Sequence, residues 1–310
     1  MRYEVSSFDN FNEAKYLSAN PDVLKAINHN ELKTGREHFE AIGCSEKRYQ
    51  KISLEKYSPL AVVHVPKCAG TSLRREIDQI SSNMYNGRKY SLQKSKLNFF
   101  QVIKSKYTGS EITSTTWSPK ELRKAHNEYD CVMGHIRLRD FKDAGFKDFV
   151  IIVREPRVRI LSEWLFFKSN REYDKMLRDF GVDSIKTYFS IYARTHSRNI
   201  IARLTGTDII FDWSSPSINV SCYWNDEIPK LMMEIFGRTA QNLRSNVSIP
   251  QITEIDFRIL DLVHELTEKD SAALARLTNS GILSTRPKEK LDDEFQSYFS
   301  KNFNYVRTLL

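Results

Sequence analysis

The sequence is poor in cysteine and contains no long apolar run. Its 310 residues include four cysteines (Cys44, Cys68, Cys131 and Cys222), far apart and without a CxxC pair. Scattered cysteines of this kind predict reduced thiols rather than a disulfide framework or a zinc site. No stretch reaches the roughly 18 apolar residues that span a bilayer, and no secretory signal is visible at the start. These absences predict a cytoplasmic protein, with the inner face of the membrane as an alternative location.

Acidic side chains are outnumbered by basic ones. The chain has 47 Lys and Arg against 39 Asp and Glu, which gives a net charge of +8 and a pI of about 9.1. This balance favours an anionic ligand, nucleic acid or an acidic membrane surface, without choosing among them. Hydrophobic residues make up 40% of the chain, a globular level that argues against disorder throughout.

The pattern of apolar residues changes near residue 60. Residues 1–50 predict a small helical module without a catalytic constellation, which could dock a partner or pack against the rest. Residues 51–59 are polar and predict a linker. Residues 60–310 predict one domain in which strands such as "LAVVHV", "CVMGHI" and "DFVIIV" alternate with helices. This alternation indicates an α/β fold with a central parallel sheet flanked by helices.

The stretch "HVPKCAGTSL" links the first of these strands to a helix. A tight turn at a helix N-terminus exposes backbone N–H groups, and Lys67, Thr71 and Ser72 add a charge and two hydroxyls. These groups predict an anion site suited to phosphate, with a turn carrying a solvated lysine as the alternative. The lysine precedes Gly70, so the order differs from that of the Walker A loop of nucleoside-triphosphate enzymes.

A second anion-binding segment follows the strand "DFVIIV". Arg154 comes directly after the strand, and ligands of open α/β sheets bind at the carboxyl ends of strands. Its planar guanidinium suits phosphate, and Ser162 follows about two turns along the next helix. The alternative is that Arg154 pairs with Glu155 or another neighbour while Ser162 faces solvent.

Together these segments resemble a known family. "HVPKCAGTSL" is similar to the 5′-phosphosulfate loop of sulfotransferases that use PAPS (3′-phosphoadenosine 5′-phosphosulfate), and "REPRVRILSEWLFF" is similar to their 3′-phosphate segment. The likeness is greatest to carbohydrate sulfotransferases of the heparan sulfate 2-O-sulfotransferase type and their bacterial relatives. It extends from about Leu60 to Leu277, and it is strong in these two motifs, fair around His135 in "MGHIRLRDF" and loose in the later segments. It implies a P-loop-like central sheet and sulfuryl transfer from PAPS to a carbohydrate hydroxyl.

The resemblance also implies a role for each motif residue. Lys67 would act in catalysis, where its charge meets the oxygen of the leaving nucleotide. Arg154 and Ser162 would bind the 3′-phosphate. The loop residues that would hold the 5′-phosphate together with Lys67 are Cys68, Ala69, Gly70, Thr71 and Ser72. For Cys68 two interpretations stand, a small residue that permits the turn and a reactive thiol with a lowered pKa.

His135, in "MGHIRL", is the predicted catalytic base, since a histidine titrates near neutral pH. The related eukaryotic pattern has a second histidine at the position of Met133 here. His64, inside the first strand, is expected to pack against or orient the loop. Arg137 and Arg139 are predicted to meet an anionic acceptor, with solvated side chains as the alternative.

Two other functions are open at this point. A P-loop kinase or other phosphotransferase would need ATP and magnesium, and a basic binding module for polyanions would need no ordered loop. For the sulfotransferase we expect PAP (adenosine 3′,5′-bisphosphate) as product, no metal and no nucleic acid. The acceptor would be a polysaccharide, oligosaccharide or glycolipid, with peripheral membrane association left open. Ligand contacts of Arg159, Arg198 and Arg203, and the oligomeric state, are not predicted.

Overall fold

The computed structural model describes residues 3–51, 59–82, 90–92, 119–129, 131–179, 181–207, 213, 215, 217–237, 239–240, 253–255 and 257–305. The chain divides into two compact units. The first contains Met1–Ser58 and Asp226–Leu243, and the second contains Pro59–Asn225 and Arg244–Leu310. The predicted module did not include Asp226–Leu243. Most of the predicted linker lies outside the described residues.

The first unit combines helices with a two-stranded antiparallel sheet, in which Tyr3 pairs with Lys51. Its core contains Tyr16 and Phe39, both fully buried. The Tyr16 hydroxyl lies 2.9 Å from His38 Nδ1, so this core holds a satisfied polar pair. Its elements are β1 (Tyr3–Val5), α1 (Glu13–Ala19), α2 (Pro21–Asn28), α3 (Gly35–His38) continued by a π-helical turn (Phe39–Gly43), β2 (Tyr49–Lys51) and, from the later segment, α11 (Ile228–Phe236).

The second unit is built on a five-stranded sheet in which every neighbouring pair is parallel. The predicted α/β class and the flanked parallel sheet are therefore confirmed. All three predicted strands form, and two further strands join them at the edges of the sheet. In spatial order the strands are β4 (Tyr90–Leu92), β5 (Cys131–Gly134), β3 (Leu60–His64), β6 (Asp148–Val153) and β7 (Asn219–Trp224).

Helices follow the strands as the sequence predicts. The helix after β6 begins at Pro156, where the missing N–H of proline costs nothing, and the Glu155 carboxylate caps it by accepting from Val158 N at 2.7 Å. The helices are α4 (Gly70–Ser82), α5 (Pro119–Glu128), α6 (Leu138–Asp143), α7 (Pro156–Ser169), α8 (Arg171–Asp179), α9 (Ile185–Thr187) continued by a π-helical segment (Tyr188–Ser197), α10 (Ile200–Thr205), α12 (Phe257–Asn279) and α13 (Lys288–Asn302); a parallel pair, β8 (Thr253–Ile255) and β9 (Phe303–Tyr305), completes the unit.

The register of the sheet decides where the motifs meet. Val62 of β3 lies beside Met133 of β5 on one side and Val150 of β6 on the other. Because the three strands are parallel, their carboxyl ends lie at one edge of the sheet, where ligands of open α/β sheets bind. The segments that begin after His64, Gly134 and Val153 therefore start side by side. Among the described helices, none is long and apolar enough to cross a membrane.

Candidate functional site

The turn after β3 has an unusual backbone. Lys67 and Ala69 adopt positive φ angles of 65° and 58°, a conformation that costs energy for residues other than glycine. Main-chain hydrogen bonds in this part of the described chain run from Cys68 N to Val65 O and from Ser72 N and Leu73 N to Ala69 O. No bond among them uses the N–H of Ala69, Gly70 or Thr71, so these donors are left for a ligand or solvent. The turn therefore has the backbone geometry of an anion-binding concavity.

Gly70 is required by the side chain of His64. A Cβ atom on Gly70 would lie 1.6 Å from His64 Nε2, a distance that no side chain tolerates. The imidazole thus packs directly against the first residue of α4. Burial is the largest cause that holds the pKa of His64 well below its usual value, and the neighbouring charges of His135, Arg74 and Lys67 act in the same direction. This contact agrees with the prediction that His64 orients the loop.

Lys67 connects the loop with the helix after β6. Its Nζ lies 4.0 Å from the centre of the Phe166 ring on α7, within range of a cation–π interaction. Burial lowers the pKa of the ammonium to about 8, and the charge of Arg154 adds to the decrease, while Glu163 opposes it. The two predicted anion-binding motifs therefore meet at this lysine.

Glu163 and Arg159 form a buried ion pair on the face of α7 that carries Phe166. Arg159 Nη1 lies 3.1 Å from Glu163 Oε2, and the Arg159 side chain is fully buried. The charge of Glu163 raises the pKa of both Lys67 and His135, so it is close to both predicted catalytic groups. Arg159 thus makes a structural ion pair with Glu163. Glu163 was not among the predicted site residues, although its spacing of four residues from Arg159 is typical of a helical ion pair.

His135 lies against His64 at the end of β5. The two rings stack with centroids 4.3 Å apart, and His135 Nδ1 lies 2.6 Å from the His64 carbonyl oxygen. A carbonyl only accepts, so Nδ1 carries the proton and the lone pair of the neutral ring lies on Nε2. Burial lowers the pKa of His135, which keeps the ring neutral near pH 7. This is the protonation state that a general base needs.

Arg154 lies at the carboxyl end of β6 among groups from two helices. Its guanidinium carbon is 5.0 Å from the centre of the Tyr298 ring, and Nε is 3.9 Å from Glu294 Oε1. Nε is buried and has no hydrogen-bond partner within the described part of the chain. Ser162 is buried and hydrogen-bonds to Tyr298, whose pKa burial raises. The predicted solvent-facing Ser162 is therefore wrong, whereas Arg154 does have an ion-pair neighbour, Glu294 rather than Glu155.

Cys68 does not present its side chain to a ligand. The thiol is fully buried, and Sγ lies 3.7 Å from the Pro66 carbonyl oxygen. Burial raises the pKa of the thiol to about 12, which is opposite to the lowered value of a reactive cysteine. The reactive-thiol interpretation is wrong, and the backbone N–H of this fully buried residue is already bonded to the Val65 carbonyl oxygen. Of the loop hydroxyls, Thr71 is exposed and Ser72 is buried.

The remaining predicted arginines have other neighbours. Arg137 makes two hydrogen bonds of 2.8 Å to the Asp140 carboxylate, and Arg139 Nε lies 3.7 Å from Asp143 Oδ2. Both arginine side chains are nevertheless exposed, as the solvated alternative predicts. Arg198 is exposed. The charge of Arg203 lowers the pKa of Asp270, which burial raises to about 6, so Arg203 lies near Asp270.

A cavity lies next to the Arg154 cluster. Its volume is about 720 Å³, within the range of small-molecule pockets. It is lined by the start of α7, one face of α12 and the start of α13, and by Trp224 and Arg286. The Arg286 guanidinium carbon lies 4.4 Å from the centre of the Trp224 ring. The cavity thus adjoins the second anion-binding motif through Glu155, which also lines it.

No protein-family model and no curated protein matches this sequence.

Proposed function

We propose that the chain is a P-loop-like, PAPS-dependent carbohydrate sulfotransferase. The observation that carries the proposal is the position of Lys67, whose ammonium reaches from the loop after β3 to the α7 helix that follows Arg154. Two anion-binding segments thus converge on one lysine, as a donor with phosphate groups on the 3′ and 5′ positions of one ribose requires. The stacked His64 and His135 rings lie at the same edge.

The structure offers suitable partners for each anionic part of the donor. The N–H groups of Ala69, Gly70 and Thr71 and the Lys67 ammonium would hold the 5′-phosphosulfate. Arg154, with its buried Nε, and Ser162 would hold the 3′-phosphate. The 720 Å³ cavity beside the start of α7 has the size of a nucleoside site, but Lys67, Arg154 and Ser162 do not line it.

The chemistry assigned to the residues is an in-line transfer. The acceptor hydroxyl oxygen bonds to sulfur while the bond from sulfur to the 5′-phosphate oxygen breaks, and the hydroxyl proton passes to Nε2 of His135. Negative charge grows on the leaving oxygen, and the Lys67 ammonium stabilises it where it develops. The products are the sulfated acceptor and PAP.

The acceptor class is a polysaccharide, oligosaccharide or glycolipid. The proposed reaction occurs in the cytoplasm, where PAPS is made. Labelled PAPS and a panel of glycans test the proposal, since label should move to an acceptor hydroxyl and the acceptor should gain the mass of one sulfate. Activity that needs ATP and magnesium would instead support a phosphotransferase. Salt-sensitive binding to polyanions without any response to PAPS would support a binding module.

A further inference from the structure

The carboxylate of Glu294 lies between two arginines of the second anion-binding motif. Its Oε1 is 3.9 Å from Arg154 Nε, and its Oε2 is 3.4 Å from Arg286 Nη1. Arg154 comes from the end of β6, whereas Arg286 comes from the segment that precedes α13. Each oxygen of one carboxylate therefore faces a different arginine, as two oxygens of a bound phosphate could.

The contact with Arg154 is incomplete. At 3.9 Å the carboxylate is within ion-pair distance of Nε but beyond hydrogen-bond distance, and Nε has no hydrogen-bond partner in the described residues. A buried donor without an acceptor costs free energy that a better-placed oxygen recovers. A phosphate monoester carries a charge of about −1.5 to −2 and three acceptor oxygens, against one charge and two oxygens for a carboxylate. A phosphate can therefore displace Glu294.

From this geometry we propose that the Glu294 carboxylate competes with a bound phosphate for Arg154 and Arg286. The phosphate must displace the carboxylate to bind, and the carboxylate returns when the phosphate leaves. The inference rests on the proposed function for the identity of the ligand, the 3′-phosphate of PAPS and PAP. It adds Arg286 to the groups that bind this phosphate. It also gives Glu294 a role, which is to lower the affinity for PAP so that the product can dissociate.

The test compares the variant Glu294→Gln with the control variant Asp293→Asn. Asp293 is the exposed residue next to Glu294 on α13, and its replacement removes the same charge. The first probe is inorganic phosphate, which addresses the anion site without any nucleotide. Phosphate should raise the melting temperature of Glu294→Gln more than that of wild type or Asp293→Asn. Adding Arg154→Ala to Glu294→Gln should remove the extra response. Equal responses in Glu294→Gln and Asp293→Asn would overturn the inference, whatever nucleotide the chain binds.

The second probe is PAP, with adenosine 5′-phosphate as the matched nucleotide that lacks the 3′-phosphate. Glu294→Gln should bind PAP roughly tenfold more tightly than wild type, because a tenfold change is the scale of one modest polar contact. The affinity of Glu294→Gln for adenosine 5′-phosphate should stay the same. Arg286→Ala should weaken the binding of PAP but not that of adenosine 5′-phosphate. Unchanged PAP affinity in Glu294→Gln would overturn the inference. No PAP binding by wild type would overturn the proposed function instead, while the phosphate comparison would still decide the role of Glu294.

Discussion

Lys67 Nζ lies 4.0 Å from the centre of the Phe166 ring, and this contact joins two segments that are almost a hundred residues apart in the sequence. Lys67 belongs to the turn after β3, and Phe166 belongs to α7, which follows β6. The adjacent, parallel arrangement of β3 and β6 is what brings the turn and the helix together. The proposed chemistry depends on this contact, because it places one ammonium where the two proposed phosphate-binding motifs meet.

Replacement of Lys67 should strongly reduce the rate of sulfuryl transfer. Lys67→Ala removes the cation at the leaving oxygen, and the loss of one such group typically costs about 100- to 1000-fold in rate. Turnover of PAPS with a responsive acceptor is the measurement. Lys175→Ala is the matched control, since Lys175 is exposed on α8. Equal rates for the two variants would remove Lys67 from the mechanism.

The pH profile should fall on the alkaline side near the pKa of Lys67. The ammonium form is the active one and its pKa is about 8, so kcat/KM should decrease as pH rises through about 8. Glu163 raises this pKa, so Glu163→Gln should move the alkaline limb to lower pH. Glu289→Gln, which removes an exposed carboxylate on α13, should leave the limb in place. An alkaline limb that Glu163→Gln does not move would contradict the assignment of that limb to Lys67.

His135→Ala should reduce turnover far more than nucleotide binding. General-base catalysis typically contributes about 10²- to 10⁴-fold, and His135 has no assigned contact with PAP. Since burial lowers the pKa of His135, the acid limb of the wild-type pH profile of kcat/KM should lie at a pH below the ordinary pKa of histidine. His29→Ala, at an exposed position of the first unit, is the control. Full turnover by His135→Ala would show that another group accepts the proton.

Gly70→Ala should distort the anion-binding turn. The new Cβ would lie 1.6 Å from His64 Nε2, so the imidazole or the start of α4 has to move, and overpacking of this kind costs about 1–3 kcal/mol. Weaker PAP binding and a lower melting temperature are expected. Because the clash is with a side chain, His64→Ala should restore part of the PAP binding in the double variant, although it also removes the ring that stacks on His135. A double variant no better than Gly70→Ala would show that the glycine is needed for its backbone rather than for space.

Much of the fold could be predicted from local sequence. The apolar runs of β3, β5 and β6 are continuous and β-branched, as buried parallel strands require, and Pro156 indicates a helix start. Strand β7, "NVSCYW", was missed because it mixes polar and aromatic residues. The assignment of Asp226–Leu243 to the first unit was missed because contacts between segments distant in sequence leave no local pattern.

The candidate site divides in the same way. Lys67, Gly70, His135 and Arg154 belong to short motifs, so their placement at one edge follows once the strands are parallel. The groups that surround these four residues do not belong to such motifs, and their placement does not follow from the strand order. Glu294 reaches Arg154 from a helix near the end of the chain, and nothing in the spacing of either segment indicates that contact. The direction in which the pKa of Cys68 shifts could not be predicted either, because the shift depends on full burial of the thiol.

Titration of the wild-type chain with PAP and, separately, with ATP and magnesium tests the donor assignment most directly. The proposed function predicts that PAP binds and raises the melting temperature, that Lys67→Ala and Arg154→Ala each weaken this binding, and that ATP with magnesium has no comparable effect. Binding of ATP with magnesium in the absence of any binding of PAP would contradict it.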